Sequence, residues 1–527
     1  MIVAPQEASI APKMLDQRSE DSPERSLSGV GVRRHEDCRY DRHQVVQAFR
    51  GTHRFSSGAA TAKLSGRSAS GGQNQPSRLG ELYRDGCSVG FVSPPGATGT
   101  YDRRKCQLKD SGVHVSPSTI DVAVSPATQE FWDTSFDRRL DRFRLLRESP
   151  PQFHDEPGGP GFWSIVRYDQ VVDVSRRPET FSSAAGFTIA DFPAEALAFA
   201  GSMIAMDDPQ HRRFRGIVQG AFTHRSVRQI AGTIDRHVQL LIDAIPASGE
   251  FDFVDVVAGQ LPLVVICELL GLPPADRDLI KRLTDRVVGN SNELFTNSPG
   301  MSPSVLEIYS YAAQLGASRK MKPSDDVITR LLRPSVAGEV EGAELTVEEF
   351  ASFLILLITA GYDTTRQTLS WAVHLLTTHP EQLKLLVDDF DGHIDGAIDE
   401  IVRWASPVPY MRRTATATAS VGGQTIEAGD KVVMWYLSAN HDEAIFADPL
   451  RFDITRSNAS RQLGFGARDP HHCLGVHLAR LEVRTLLKHL MTRHPHLAST
   501  PPDLVLSAFI SGIHRLPCRV DRETPWT

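Results

Sequence analysis

Apolar residues recur at helical spacing through most of the chain after about residue 125. Between the later helical segments, short runs rich in valine, threonine and aromatic residues alternate with glycine-containing turns, as in "ATASVGGQTIEAGDKVVMWYL". We therefore predict a mainly α-helical domain with small β-sheets, an α+β fold, over residues 126–527. The clearest amphipathic stretches are "HRRFRGIVQGAF", "LPLVVICELLGL", "TVEEFASFLILLITAGYDTTRQTLSWAVHLLTTHP" and "HLARLEVRTLLKHLM".

Residues 1–125 lack this periodicity. The stretch "SGAATAKLSGRSASGGQNQPS", residues 57–77, is low in complexity and has little to bury, and arginine clusters such as "VRRH" interrupt any regular pattern. Such a composition cannot offset the conformational entropy of the chain. We predict that residues 1–125 form a disordered N-terminal extension. Two alternatives stay open: upstream sequence translated from a misassigned start, and a targeting or docking arm.

The longest predicted helix starts at a capping box and lies in the middle of the domain. Thr346 and Glu349 have the spacing in which each side chain caps the other's backbone N–H. The apolar pattern then continues to "HP" at His379 and Pro380. At 1.5 Å per residue this helix is about 50 Å long. We expect it to be the central helix of the domain.

The middle of this helix, "AGYDTT" at residues 360–365, breaks the local rules for a buried helix. Glycine costs about 1 kcal/mol against alanine there, and buried polar side chains need partners. A solvated surface turn is one interpretation, but the preceding "FLILLIT" is apolar almost all round, which indicates deep burial. We therefore predict an opened turn that admits a small ligand beside an acid and a hydroxyl able to pass protons, Asp363 and Thr364.

Composition excludes some classes of function. The net charge is −7, with 41% hydrophobic and 23% charged residues, so the basic surface that nucleic-acid binding favours is not expected. The longest apolar runs are shorter than a membrane span, and the first twenty residues contain no apolar signal-peptide core. The cysteines are scattered, which suits a reducing compartment, so we expect a cytoplasmic protein. They are Cys38, Cys87, Cys106, Cys267, Cys473 and Cys518.

Cys473 lies in "GFGARDPHHCLGVHLARLE", and three roles compete for its thiol. A structural zinc site needs about four ligands, and "HHC" has no matching second pair. A nucleophile needs a histidine base, but the sequence neighbours His471 and His472 rarely have suitable geometry. A metal held by one axial thiolate, as in heme, is the third role. A helix begins directly after Cys473 and stabilises a thiolate, while Gly475 leaves room for a flat macrocycle, so local features favour this role.

The same stretch resembles the heme-binding loop of the cytochromes P450. The loop is one residue longer than the commonest form, and Asp469 stands where a glycine is usual. The matching residues are Phe465, Gly466, His471, Cys473, Gly475, Leu478, Ala479 and Arg480.

Several other motifs carry the resemblance, which covers residues 126–527. "AGYDTT" is similar to the oxygen-activating helix, and the resemblance implies catalytic roles for Asp363 and Thr364 beside a groove at Ala360 and Gly361. "EIVR" resembles the buried Glu-x-x-Arg pair, here Glu400 and Arg403, with Arg451 as the expected third member. The implied contacts to the heme propionates are His211 and Arg215 in "DDPQHRRFR", Arg413 in "MRRTATATASVGG", and His471.

The resemblance implies a P450 fold with its long central helix over heme b (iron protoporphyrin IX), bound by Cys473. It implies a monooxygenase that inserts one oxygen atom into a C–H bond of an apolar substrate, a steroid or branched lipid. A ferredoxin and an NAD(P)H-dependent ferredoxin reductase are the implied electron donors. The segments at residues 186–203 and 507–517 are expected to line the substrate pocket. A terpenoid or polyketide substrate, a peroxide-driven peroxygenase and a non-catalytic heme protein stay open as alternatives.

Overall fold

The computed structural model describes residues 124–156, 158–191, 197, 202–289, 303–333 and 344–520. All of them fall within the unit Asp110–Thr527. The predicted extension, residues 1–125, lies outside the described residues except for its last two.

Helices form most of the described chain, which confirms the predicted fold class. Short 3₁₀ turns connect several of them, and two segments, Val254–Ala258 and Leu357–Tyr362, are π-helical. The α-helices are α1 (Gln129–Trp132), α2 (Phe136–Arg147), α3 (Tyr168–Ser175), α4 (Gln210–Val218), α5 (His224–Gln229), α6 (Ala231–Asp243), α7 (Leu261–Leu270), α8 (Arg277–Gly289), α9 (Pro303–Met321), α10 (Val327–Leu332), α11 (Val347–Leu356), α12 (Asp363–Thr378), α13 (Pro380–Asp388), α14 (Phe390–Ala405), α15 (Tyr436–Ala439) and α16 (Val476–Arg493).

The strands form small sheets at the edges of the helical body, as their turn-rich sequences predict. They are β1 (Gln152–His154), β2 (Phe162–Ile165), β3 (Phe181–Ser182), β4 (Gly249–Asp252), β5 (Tyr410–Ala415), β6 (Ala419–Val421), β7 (Gln424–Ile426), β8 (Lys431–Trp435), β9 (Leu497–Ser499), β10 (Asp503–Leu504), β11 (Ile513–Arg515) and β12 (Pro517–Val520).

The largest of these sheets has the order β1-β2-β8-β5-β3. In this sheet β2 and β8 are parallel, and the other neighbouring strands are antiparallel. The other sheets are β4-β12-β9, β10-β11 and β6-β7. Strand β5, which carries Arg413, pairs with β8 on one side and with β3 on the other, so it is held on both sides.

The central helix begins and ends where the sequence predicts, and its helical geometry changes near the predicted opened turn. The Thr346 side chain accepts from the Glu349 N–H at 3.1 Å, and Glu349 accepts from the Thr346 N–H at 2.9 Å. The central helix consists of α11, a π-helical segment at Leu357–Tyr362, and α12, which ends at Thr378 just before Pro380. A π-helical turn adds a residue to the turn and widens it. The widened turn covers Ala360 and Gly361, where the sequence predicts an opened helix.

A buried ion cluster joins α14 to the segment that precedes the cysteine loop. Glu400 and Arg403 are fully buried and paired, with Arg403 Nε 2.7 Å from a Glu400 carboxylate oxygen. The Nε of Arg456 donates to both Glu400 oxygens at 3.2 Å. Each buried charge therefore has partners, which such a cluster requires in order not to destabilise the fold.

The prediction that Arg451 is the third member of this cluster is wrong. Its side chain is 65% exposed and lies 3.8 Å from Asp453, whereas that of Arg456 is 8% exposed. The chain turns at Asp448, which has a positive φ of 46°, and Arg451 contributes its backbone carbonyl oxygen to the Arg456 guanidinium at 2.8 Å. The turn directs the Arg451 side chain outward, so the arginine five residues later completes the cluster.

Among the helices that the structure describes, none combines the length and the apolar character needed to cross a membrane.

Candidate functional site

A cavity of about 240 Å³ is lined by residues of the central helix and of the cysteine loop, residues 464–475. The Cys473 side of the cavity faces the π-helical segment across this space. Most of its wall is apolar. The apolar wall residues include Met203, Ile204, Phe222, Ile266, Phe353, Leu356, Leu357, Val408 and Met411.

The cysteine loop is held by its own backbone hydrogen bonds. The Cys473 N–H donates to the Phe465 carbonyl oxygen at 2.8 Å, and the His472 N–H donates to that of Asp469 at 3.0 Å. Gly466 has a φ of +93°, a conformation that glycine adopts without steric cost. The loop ends at Gly475, the N-cap of α16. This geometry places the Cys473 thiol on the cavity wall.

Open space adjoins the backbone beside the cysteine. A Cβ built on Gly475 would meet no atom of the described chain within 4 Å, as the flat-macrocycle interpretation of this glycine predicts. Within the described residues, no three histidine, cysteine, aspartate or glutamate side chains gather as metal ligands. Among the described residues the site thus offers one thiol beside open space, which differs from the four-ligand pattern of structural zinc.

The surroundings of Cys473 favour the protonated thiol when no metal is bound. Burial raises the pKa of the thiol, while the backbone N–H of Gly475 and the charge of Arg215 act in the opposite direction. A coordinating metal deprotonates such a thiol, and the N–H group and the arginine then stabilise the anion.

Cationic and hydrogen-bonding side chains gather at one rim of the cavity. Arg215, from α4, donates through Nη2 to the His472 carbonyl oxygen at 2.6 Å. The rings of His211 and His471 pack with their centroids 4.2 Å apart, and His471 Nε2 lies 3.1 Å from the Ser183 hydroxyl. Arg413, from β5, donates to the Arg412 carbonyl oxygen at 2.9 Å. Helix α4, the largest sheet and the cysteine loop therefore bring these four side chains to one place.

The two histidines at this rim are neutral hydrogen-bonding groups that could donate an N–H to an anion. Burial, and then the charge of Arg413, lowers the pKa of His471 to about 2. Burial, and then Arg215, lowers the pKa of His211. His211 Nε2 is buried and has no hydrogen-bond partner among the described residues. The carboxylates of heme b would supply that partner and would neutralise the two arginines, so these residues fit the group.

The helix side of the cavity carries the predicted acid–hydroxyl pair. Ala360, Gly361 and Thr364 line the cavity, and the Thr364 hydroxyl donates to the Ala360 carbonyl oxygen at 2.6 Å. Asp363 lies behind them and is buried. Its carboxylate accepts from Gln367 at 3.1 Å, and Arg366 is 3.6 Å away. Burial raises the pKa of Asp363, against the pull of Arg366 and Gln367.

Most of the sequence-predicted site residues share the cavity wall. Three others support it from behind: His211 packs on His471, Asp363 precedes Thr364, and Arg413 lies beside the cysteine loop. The residues on the wall itself are Arg215, Ala360, Gly361, Thr364, Phe465, His471, Cys473 and Gly475.

Of the two segments predicted to line the pocket, the described part of the first contributes a wall residue and the second does not. Of residues 186–203, Met203 lines the cavity, while residues 192–196 and 198–201 lie outside the described residues. Residues 507–517 are not on the wall of this cavity. Their apolar side chains are covered by protein, since Phe509 packs on Phe187 and on Tyr410, with ring centroids 6.0 and 5.5 Å apart.

Sequence reasoning missed the one carboxylic acid among the described residues of the wall, Glu482. It is 2% exposed, and its Oε2 has no hydrogen-bond partner in the described chain. Burial raises the pKa of this carboxyl to about 8. The signal was present in the sequence. Glu482 follows Leu478 by four residues and precedes Leu486 by four, so it falls on the apolar stripe of α16.

Comparisons with known proteins agree with this geometry. A family model described as Cytochrome P450 matches residues 307–503. The methyl-branched lipid omega-hydroxylase of Mycobacterium tuberculosis is 39% identical over 414 residues, 76% of this chain and 96% of that protein. The steroid C26-monooxygenase of Mycolicibacterium smegmatis is 32% identical over 74% of this chain and 92% of that protein.

A solved structure is also similar, a Mycobacterium marinum cytochrome P450, CYP268A2, in complex with pseudoionone. It is 36% identical and superposes with a TM-score of 0.67 over 74% of this chain and 96% of the solved one.

Proposed function

The chain belongs to the cytochrome P450 family and is a monooxygenase with heme b as its cofactor, and we propose that it hydroxylates a methyl-branched lipid or a steroid. The observation that carries the proposal is the cavity itself. A half-buried cysteine and a widened turn followed by Thr364 line the same cavity, Asp363 lies behind that threonine, and most of the remaining wall is apolar.

Cys473 is the residue that we propose would bind the heme iron. Heme b, when bound, supplies four nitrogen ligands to an iron that activates dioxygen, and a thiolate ligand favours O–O cleavage. The Gly475 N–H and Arg215 lie where they stabilise the Cys473 anion. Phe465 and Gly475 line the cavity beside Cys473, and the open space at Gly475 leaves room for a macrocycle.

The rim is proposed to hold the heme propionates. Arg215 and Arg413 supply permanent positive charge, and arginine pairs with carboxylates through parallel hydrogen bonds. His211 and His471 are buried and neutral, and each can donate one N–H. Arg215 and His471 lie on the cavity wall, with His211 packed on His471 and Arg413 beside the cysteine loop, so the four groups would hold the propionates near one another.

Thr364 and Asp363 are proposed to deliver protons during oxygen activation. The Thr364 hydroxyl lies on the cavity wall and can accept a proton from one neighbour while it donates its own. Asp363 has a raised pKa, so its carboxyl group holds a proton more readily than an exposed aspartate. A group whose pKa lies nearer the working pH transfers protons more effectively. Ala360 and Gly361 keep the space beside this hydroxyl clear.

The substrate class follows from the apolar wall and from the relatives. A cavity lined by Met203, Ile266, Phe353 and Leu357 selects by shape and excludes water from charged groups. The names of the relatives specify a methyl-branched lipid and a steroid. A terpenoid or polyketide is the second candidate, supported by the complex of the solved relative with pseudoionone.

Electrons are proposed to come from a ferredoxin and its NAD(P)H-dependent ferredoxin reductase, in the cytoplasm. The unpaired state of the described cysteines, Cys267, Cys473 and Cys518, supports a reducing compartment. A one-electron carrier suits a reaction that takes up its two electrons one at a time, with NAD(P)H as their source.

A spectral titration followed by turnover tests the proposal. Purified protein is titrated with methyl-branched fatty acids, steroids and terpenes, and we expect the Soret band to shift to shorter wavelength with the lipid or steroid group. The best ligand is then incubated with surrogate ferredoxin, reductase and NADPH. Hydroxylated product that requires the ferredoxin system supports the proposal. Product formed only with hydrogen peroxide would identify a peroxygenase, and binding without product a heme carrier.

A further inference from the structure

Asp469 places a buried carboxylate inside the cysteine loop, four residues before the proposed iron ligand. Its side chain is 2% exposed, and one of its oxygens, Oδ2, lies 3.7 Å from Arg413 Nη2. The other, Oδ1, is buried and has no hydrogen-bond partner among the residues that the structure describes. A buried charge is costly unless something in its surroundings compensates for it, so its retention in this loop requires an explanation.

The groups that face Asp469 are those of the rim. Arg413 is its ion-pair partner, and its charge also acts on Arg215, His211 and His472. On its other side lies Tyr436, a buried residue of the cavity wall whose pKa is raised by burial and then by the charge of Asp469. Asp469 is therefore a negative charge beside the two arginines of the rim, and Asp207 and Asp208 also act on His211.

This position has an electrostatic consequence for the rim. Two arginines can balance two propionates, but the Asp469 carboxylate cancels part of the charge of Arg413 before any cofactor contributes. Its field is screened little, because it is buried and away from mobile ions. The cofactor site is thus more negative than the arginines alone would make it.

We propose that Asp469 is a buried counter-ion of Arg413 that lowers the reduction potential of the heme. The inference rests on the proposed heme site, since it assigns a further role within that site. Reduction of ferric to ferrous heme adds one electron, delivered by the ferredoxin, and therefore adds one negative charge to the site. A fixed carboxylate nearby destabilises that added charge by Coulomb repulsion. Asp469 thereby favours the ferric state.

Substitution with an isosteric neutral residue tests the proposal. In Asp469→Asn we expect the heme reduction potential to rise, so that at the midpoint of the wild type the ferrous-to-ferric ratio increases by about fivefold. Asp469→Ala should shift it in the same direction. The shift should persist in high salt, because a surface charge would be screened there and a buried one would not. The measurement is a spectroelectrochemical titration of the whole protein without substrate.

The control is Asp326→Asn, which removes a paired carboxylate elsewhere in the fold. Asp326 accepts from Arg319 at 2.6 Å and caps α10 through the Thr329 N–H at 2.7 Å. Asparagine preserves that cap, and the potential should stay at the wild-type value.

The possible outcomes separate the two proposals. An unchanged potential in heme-loaded Asp469→Asn overturns the inference, and so does an equal rise in Asp326→Asn. Loss of heme from both Asp469 variants also overturns it, because the carboxylate would then serve only to hold the loop. The proposed function is tested separately, on the wild type alone. If the reduced carbon monoxide complex of the wild type lacks the spectrum of thiolate-ligated heme, the proposed function fails.

Discussion

At the scale of single residues, the central helix carries two threonines with similar local bonds and different surroundings. Thr364 donates to the Ala360 carbonyl oxygen at 2.6 Å and lines the cavity. Thr359 donates in the same way to the Ile355 carbonyl oxygen at 2.9 Å, one turn earlier. Since the local bonds match, a difference between their alanine variants reports on the cavity and not on the helix.

We expect Thr364→Ala to separate NADPH consumption from hydroxylation. The variant should bind heme and substrate, but without the hydroxyl its proton delivery fails and reducing equivalents leave as hydrogen peroxide. Product per NADPH should fall by at least about tenfold, in keeping with the usual contribution of a positioned proton donor. The measurement is product and peroxide yield per NADPH. Thr359→Ala should stay coupled; full coupling in Thr364→Ala would refute the role.

Glu482 predicts a pH dependence of stability. Its pKa is about 8 in the folded protein, above its ordinary value of 4.5. As the pH rises from 4.5 to about 8, the unfolded chain loses this proton first, so the native state loses stability over that window. Below the window both states are protonated, and no penalty applies.

Glu482→Gln should therefore stabilise the protein at high pH. We expect its free energy of unfolding to exceed that of the wild type by a few kcal/mol at about pH 9, and by much less at about pH 5. Urea unfolding at the two pH values measures this difference. The exposed Glu381→Gln serves as control. A difference for Glu482→Gln that is the same at both values would contradict the burial argument.

At the scale of elements, the capping box fixes where the central helix begins. Thr346 supplies an oxygen to an N–H group that has no partner within the helix, and Glu349 returns the bond. Thr346→Ala should lower the free energy of unfolding by about 1 kcal/mol, and Thr346→Ser by much less, since serine also caps. Urea unfolding checks this. An equal loss in both variants would indicate that packing of the threonine methyl group, and not the cap, is responsible.

The features of the central helix that sequence could predict are local ones. The cap, the apolar run and the rule-breaking "AGYDTT" all lie within about twenty residues, and the structure has its cap and its π-helical turn at those places. The burial of Glu482 was readable in the same way from the stripe of α16, although it was missed. Such signals need only the geometry of one helix.

Features that depend on loop paths could not be predicted in this way. Arg451 and Arg456 are five residues apart in one loop that turns at Asp448, and the path of this loop brings Arg456 to Glu400 and leaves Arg451 exposed. Likewise, the sequence marks Asp469 as unusual, but its contact with Arg413 joins the cysteine loop to a strand more than fifty residues earlier. The roles of the site residues remain predictions that the experiments above test.

At the scale of the whole molecule, the buried cluster of Glu400, Arg403 and Arg456 joins α14 to the segment before the cysteine loop. Removing one member leaves an uncompensated buried charge. We expect Arg456→Met to cost about 3–5 kcal/mol of unfolding free energy and to reduce heme retention. Arg451→Met, the exposed neighbour, should change stability by less than about 0.5 kcal/mol. Urea unfolding and the heme-to-protein absorbance ratio measure both. Equal losses would contradict the assignment of Arg456.

Cys473 is proposed as the thiolate ligand of heme b, and the spectrum of the reduced carbon monoxide complex tests this assignment. We expect the wild type and Cys267→Ala, a buried cysteine on α7, to show the red-shifted Soret band of thiolate-ligated heme. Cys473→His, which can still bind iron through nitrogen, should retain heme and lose that band. A red-shifted band that persists in Cys473→His would contradict the account.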